Sequence, residues 1–156
     1  MKHMNQRLAS SRSERLVDAG IVLSAQHAIR FPGGLPGFEA CRRFVLFAPE
    51  GASPFQYLKS LEGPPASFLV IDPRRIVPDY PCVLAEHDRQ QLGADADSVL
   101  LWLALVMIEP DGTIAANLAA PVVINPAGMI GYQLIPQDAA YPLRHVVAGP
   151  DYPTSE

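Results

Sequence analysis

The chain has 156 residues, 49% of them hydrophobic and 18% charged, and 12 Lys and Arg against 16 Asp and Glu leave a net charge near -4. A chain of this size is able to bury its own core as one domain, and so apolar a composition excludes disorder throughout. The acidic balance removes the general attraction that draws proteins to nucleic acids or anionic membranes, so we expect direct contact with neither.

From Met1 to Gly20 the chain mixes Lys2, Arg7, Arg12 and Arg15 with Glu14 and Asp18 and has no apolar centre. It does not read as a secretory signal, and the expected location is the cytoplasm. Residues 1–12 are expected to be a flexible extension, residues 13–148 a single β domain and residues 149–156 a flexible tail. Next comes the Gly-rich stretch Phe31-Pro32-Gly33-Gly34-Leu35-Pro36-Gly37. It lacks both the Gly-Lys-Ser/Thr ending of a phosphate loop and the Gly-x-Gly-x-x-Gly spacing of a dinucleotide site. Its glycines permit positive φ, its prolines preset the chain, and Phe31, Leu35 and Phe38 are expected to anchor a sharply turning loop on the core.

Sixteen prolines, about twice the usual share of roughly 5%, leave little room for long helices. Short apolar stretches between them read as strands: Phe44 to Phe47, Ala66 to Ile71, Cys82 to Ala85, Val99 to Ile108, Val122 to Ile124 and Met129 to Ile135. Glu109-Pro110-Asp111-Gly112 ends the longest run with a turn and sends the chain back through Thr113-Ile114-Ala115. Asn125-Pro126-Ala127-Gly128 joins the last two runs as a second hairpin. Two short helices are expected. Pro54 to Leu61 has Ser53 as cap and Phe55, Leu58 and Leu61 on one face, and Glu86 to Leu92 is stopped by Gly93. The fold class is therefore mostly β, a compact antiparallel barrel-like domain with one or two short helices.

Little in the chain points to chemistry. Cys41 and Cys82 are far apart and have no His at zinc spacing, so they read as small buried hydrophobes. No pair among His3, His27, His87 and His145 has the spacing of a helical metal site. Asp72, before Pro73, suits a turn better than general base catalysis, and Ser53, Ser60 and Ser67 lack a nucleophile elbow. No enzyme, cofactor or metal is expected. Glu86, Asp88, Asp95 and Asp97 form an acidic group able to face a basic partner, although a solvated edge explains them as well. The run Val99 to Ile108 is too short for a membrane span, which needs ~20 apolar residues.

Taken together, Phe31-Pro32-x-Gly34-Leu35-Pro36-Gly37-Phe38-Glu39, Pro54-Phe55, Asp72-Pro73, Pro78-Asp79-Tyr80 and Asn117-Leu118-x-Ala120-Pro121-x-Val123-Ile124-Asn125 resemble the FliW family of flagellar assembly factors, in order and in spacing. The resemblance runs from about Leu16 to His145 and ends in Gly131-x-Gln133 and Tyr141-x-x-Arg144-His145. It implies a compact β barrel that binds flagellin in the cytoplasm and, in exchange, the RNA-binding translational regulator CsrA, relieving repression of flagellin synthesis. Such a switch needs two protein interfaces and no catalysis. The expected partner contacts are Glu86, Asp88, Asp95 and Asp97, then the loop edge at Gly33 and Gly34. The signature residues Phe31, Pro32, Leu35, Pro36, Gly37, Phe38, Glu39, Asn117, Ala120, Pro121 and Asn125 are expected to be structural, and the protein alone a monomer. Two rival readings are a small-molecule-binding barrel lined by Trp102, Tyr132 and Phe68, and a hydrolase using Asp72 and His145.

Overall fold

A computed structural model describes residues 28–135 and 141–149. Within them, nine strands and one short helix follow in the order β1 (Ile29–Arg30), β2 (Arg43–Phe47), β3 (Gln56–Ser60), β4 (Ser67–Ile71), α1 (Glu86–Leu92), β5 (Leu101–Ile108), β6 (Ile114–Ala116), β7 (Val122–Asn125), β8 (Ile130–Gln133) and β9 (His145–Ala148), with a 3-10 turn at Pro73–Arg75 before α1. The strands hydrogen-bond in the sequence β4-β3-β2-β1-β8-β7-β5, and β5 pairs back to β4. Seven strands thus close into a barrel, which leaves none of them with a bare edge to solvent over the paired stretch. β6 and β9 continue outward from the far half of β5. All pairings among the described strands are antiparallel except β1 with β8, which meet in parallel at Arg30 and Ile130.

Alternation along each strand decides what fills the barrel. Phe44 and Leu46 of β2, Leu58 of β3, Val70 of β4, Leu103 of β5 and Val122 and Ile124 of β7 join Ile29, Phe31 and Leu35 in one buried cluster. The rings of Phe31 and Phe44 meet edge to face at 5.0 Å. Each large apolar side chain buried in this way contributes about 1.5–3 kcal/mol of transfer free energy.

β5 shows why its sequence is an unbroken apolar run. Leu101, Leu103 and Leu105 pack with the barrel cluster. Ala104 and Val106 join a second cluster with Ile71, Tyr80, Ala116 and Leu118. Trp102 joins a third, with Val123 and Leu134, that packs under Leu92 of α1. From Leu101 to Val106 the strand is covered on both faces and needs no polar alternation, whereas Met107 and Ile108 beyond it are exposed; the ladder partners on either side make the run a strand rather than a helix.

Two sequence expectations are corrected. Pro54 to Leu61 is not a helix: Gln56–Ser60 is β3, paired on one side with β2 and on the other with β4. The spacing of Phe55, Leu58 and Leu61 fits a helical face, but a place between two strands supplies two ladders of hydrogen bonds, and that long-range pairing overrides the local pattern. Cys82 to Ala85 is extended but belongs to no strand. It carries Cys82 and Leu84 onto the cluster beneath α1 instead of adding to an edge of the closed sheet. The expected extension at residues 1–12 lies outside the described residues, as do residues 150–156 of the expected tail. β1 and β9, short strands whose sequences carry little pattern of their own, were not expected.

Candidate protein-binding surface

The Gly-rich loop is built from two successive β-turns. Gly34 N–H donates to the Phe31 carbonyl at 2.8 Å, and Phe38 N–H donates to the Leu35 carbonyl at 2.7 Å. Pro32 and Pro36 take the second position of each turn, where their fixed φ belongs. Gly37 follows Pro36 with φ of 85°, the pattern of a type II turn that favours glycine. The Glu39 carboxylate accepts from Gly37 N–H at 3.1 Å, a bond that draws its pKa below the ordinary value. Phe31 and Leu35 are buried, and Phe38 meets Phe68 edge to face at 5.1 Å. Gly33 and Gly34 differ. A Cβ on Gly33 meets nothing within 4 Å, whereas one on Gly34 lies 2.7 Å from both Glu39 Cα and the Phe38 carbonyl oxygen. Gly34 is part of the loop's interior packing, and only Gly33 remains as an open edge.

The second signature is equally occupied. Ala116 lies opposite Val106, and six residues later Val122 lies opposite Leu103, only three residues away, so β6 and β7 follow β5 with three extra residues looped out between them. Asn117 shapes that bulge: its Oδ1 accepts from Ala119 N–H and Ala120 N–H, both at 3.0 Å. Leu118 plugs the second cluster, and its carbonyl accepts from the buried Tyr80 hydroxyl at 2.8 Å. The Ala120 carbonyl accepts from Gln133 Nε2 at 3.0 Å, and the Pro121 carbonyl accepts from Leu134 N–H at 2.8 Å. Buried Asn125 donates through Nδ2 to the Leu92 carbonyl at 2.8 Å and accepts from Ala127 N–H at 3.2 Å. One side chain therefore closes the β7–β8 turn and ties down the end of α1.

The acidic residues stand apart from this machinery. Glu86, Asp95 and Asp97 are exposed and Asp88 is half-buried. Glu86 and Asp88 lie in the first turn of α1, where the helix dipole favours them, and Gly93 ends the helix at φ of 63°. Asp95 is the most committed of the four, because its Oδ1 accepts from Asp97 N–H at 2.9 Å and from the Ser98 hydroxyl at 3.2 Å. Glu86, Asp88 and Asp97 present most of the free negative charge.

The rival readings gain nothing from the geometry. Asp72 caps the 3-10 turn through Arg74 N–H at 2.9 Å and holds the Arg74 guanidinium at 2.9 and 2.7 Å. Burial works to raise its pKa, but the bonds and charge of Arg74 outweigh it and leave the carboxyl below its ordinary value, unsuited to a general base. His145 lies on β9 opposite Ala116. Of the residues assigned to a ligand-binding interior, Phe68 packs on a barrel filled by Phe31, Phe44, Leu58 and Ile124, while Trp102 and Tyr132 lie in the cluster beneath α1. Among the described residues no group of three or more His, Cys, Asp or Glu is arranged to hold a metal ion, and no helix is long and apolar enough to cross a membrane. Cys41 is buried with its thiol directed to the Pro64 carbonyl, and burial raises the thiol of half-buried Cys82. A further group was missed in the sequence: Arg30 and Arg43 face each other across β1 and β2, a pairing that the twelve intervening positions conceal.

Comparison with known proteins agrees with this architecture. The model of the family described as FliW protein matches residues 17–147. The chain belongs to the FliW family. The flagellar assembly factor FliW of Thermotoga petrophila is 33% identical over 129 residues, covering 81% of this chain and 86% of the relative. That of Geobacter sulfurreducens is 31% identical over 126 residues, covering 80% and 79%. A crystal structure of the flagellar assembly factor FliW superposes with a TM-score of 0.72 at 30% identity, over 81% of this chain and 89% of the other. Flagellar assembly is thus the process to which this FliW protein belongs.

Proposed function

We propose that this FliW protein acts in the cytoplasm as a monomer that binds flagellin and the translational regulator CsrA in exchange. While unsecreted flagellin occupies it, the regulator is free to repress flagellin synthesis; once flagellin is exported, the protein takes up the regulator and repression is relieved. The observation that supports this reading is the division of labour among its residues: internal bonds shape the signature loops, and charged side chains outside them remain exposed. Switching between two protein ligands requires only surfaces and their relative concentrations.

The acidic side chains Glu86, Asp88 and Asp97 have the charge to meet a basic RNA-binding protein, and their field would oppose return of RNA nearby. Neither direct nucleic-acid binding nor membrane attachment forms part of the scheme. The test is a calorimetric titration of the purified chain with flagellin and with the regulator from the same organism, plus a competition arm. Binding of both, with each displacing the other, is expected; binding of neither would sink the proposal. For the acidic face, Glu86→Lys with Asp88→Lys is expected to weaken regulator binding about tenfold and flatten its salt dependence. Unchanged affinity and salt dependence would remove that face from the interface.

A further inference from the structure

We propose that the outer face of β1 and β2, together with the groove beside Arg30, docks an acidic segment of a protein partner, and that of the two partners above this one is flagellin. The inference rests on the exchange reading. Ile29 and Phe44 are register partners with no exposed surface, so strand alternation sends the next pair, Arg30 and Arg43, to the outside, where both are exposed. Like charges directly opposite each other destabilise a sheet, and here they stand in a chain of net acidic charge. Arg42 beside them and Lys59 on β3 are exposed as well. The available neutralisation is slight. Glu62 lies 3.9 Å from Arg43 with both side chains well exposed, a weak contact, and among the described residues no carboxylate pairs with Arg30.

Arg30 also borders an open groove of about 380 Å³ between the end of α1 and the β7–β8 turn. Ile130 gives it apolar surface, and Gln90 and Gln91 line it with exposed side-chain amides. Amides of this kind match the main-chain donors and acceptors of an extended peptide, while two guanidinium groups match carboxylates through paired hydrogen bonds. A regulator that binds RNA presents cations and is repelled by this face, so it is assigned to the acidic one. Within the exchange reading this leaves flagellin as the partner to test for a carboxylate-bearing segment.

The experiment is a calorimetric titration of flagellin into the full chain, its Arg30→Glu/Arg43→Glu and Arg30→Gln/Arg43→Gln forms, and Glu86→Lys/Asp88→Lys. Thermal unfolding identifies any variant that fails to fold, and the Gln pair removes charge without placing new acids beside Glu62. Expected are a loss of about tenfold or more for the Glu pair, a smaller loss for the Gln pair, a weaker salt dependence in both, and no loss for Glu86→Lys/Asp88→Lys. If wild-type protein binds flagellin and both Arg variants bind it equally well, this surface assignment falls and the exchange reading stands. If wild-type protein does not bind flagellin, the exchange reading falls and takes the assignment with it. A gel-shift arm with a short single-stranded RNA completes the test. An RNA shift by wild-type protein that is lost in the Arg variants would make the face a nucleic-acid surface and overturn the proposal.

Discussion

The loop from Phe31 to Glu39 and the helix α1 with its following turn both reach solvent, yet their residues serve opposite ends. In the loop, nearly every distinctive residue is committed: Pro32 and Pro36 set turns, Phe31 and Leu35 are buried, and Gly34 lets the backbone of residues 38 and 39 pass within contact distance. In α1, Glu86 is exposed and accepts only from Gln90 Nε2 at 3.3 Å, and Asp88 is half-buried, while the helix is held from beneath by Leu92 and from its end by Asn125. The difference teaches that the loop identifying a FliW protein keeps its shape through internal turns and buried anchors, even where Pro32, Gly33, Gly37 and Glu39 reach solvent. We propose that binding falls to residues with few internal duties, which carry little local signature.

The adjacent glycines offer the largest test of that contrast. Gly34→Ala forces a side chain into the left-handed region at φ of 66° and against backbone atoms that cannot swing aside. A loss of roughly 2–4 kcal/mol is expected. Gly33→Ala, one residue away in open space, is expected to stay within about 0.5 kcal/mol of wild type. Urea unfolding of both variants measures the gap; equal stabilities would show that the loop is not locked.

Asn125→Ala comes next. It strips the Leu92 carbonyl and Ala127 N–H of their partner, and a loss of about 1–3 kcal/mol is expected. Because Asn125 links the β7–β8 turn to α1, hydrogen exchange at the end of α1 is expected to quicken as well. Protection unchanged at α1 would separate the two regions.

A smaller effect is expected at Asp72, whose folded-state pKa is depressed: burial opposes the shift, and the Arg74 bonds and the charges of Arg74 and Arg75 produce it. A depressed carboxyl stabilises the fold above its unfolded-state pKa, and the contribution disappears as pH falls through the folded-state value. The melting temperature of wild type should therefore exceed that of Asp72→Asn at neutral pH, and the difference should close below about pH 4. A difference independent of pH would contradict the ion-pair account. Least of all, Glu86→Lys/Asp88→Lys should change stability by no more than about 1 kcal/mol, mostly through the helix dipole, while changing partner binding much more. A large stability loss would make the acidic residues structural, like the loop.

The sequence by itself determined the features that nearest neighbours control. Pro36-Gly37 suffices for a turn, Gly93 for the end of α1, and Asp111-Gly112 for the reversal between β5 and β6, because each depends on the φ of one or two residues. The run around Trp102 was legible as buried, and the order of the signature blocks as a family resemblance. Tertiary structure decided the rest. Gln56–Ser60 became a strand only because β2 and β4 flank it, and β1 and β9, too short to show a period, exist through their partners. Pairing of β4 with β5 closed the barrel, and pairing of β1 with β2 set Arg30 opposite Arg43. The physical reason is common to all of these. Strand hydrogen bonds and the neighbours they impose come from residues distant along the chain, so neither the ladder nor the charge it places on the surface is written in any local stretch.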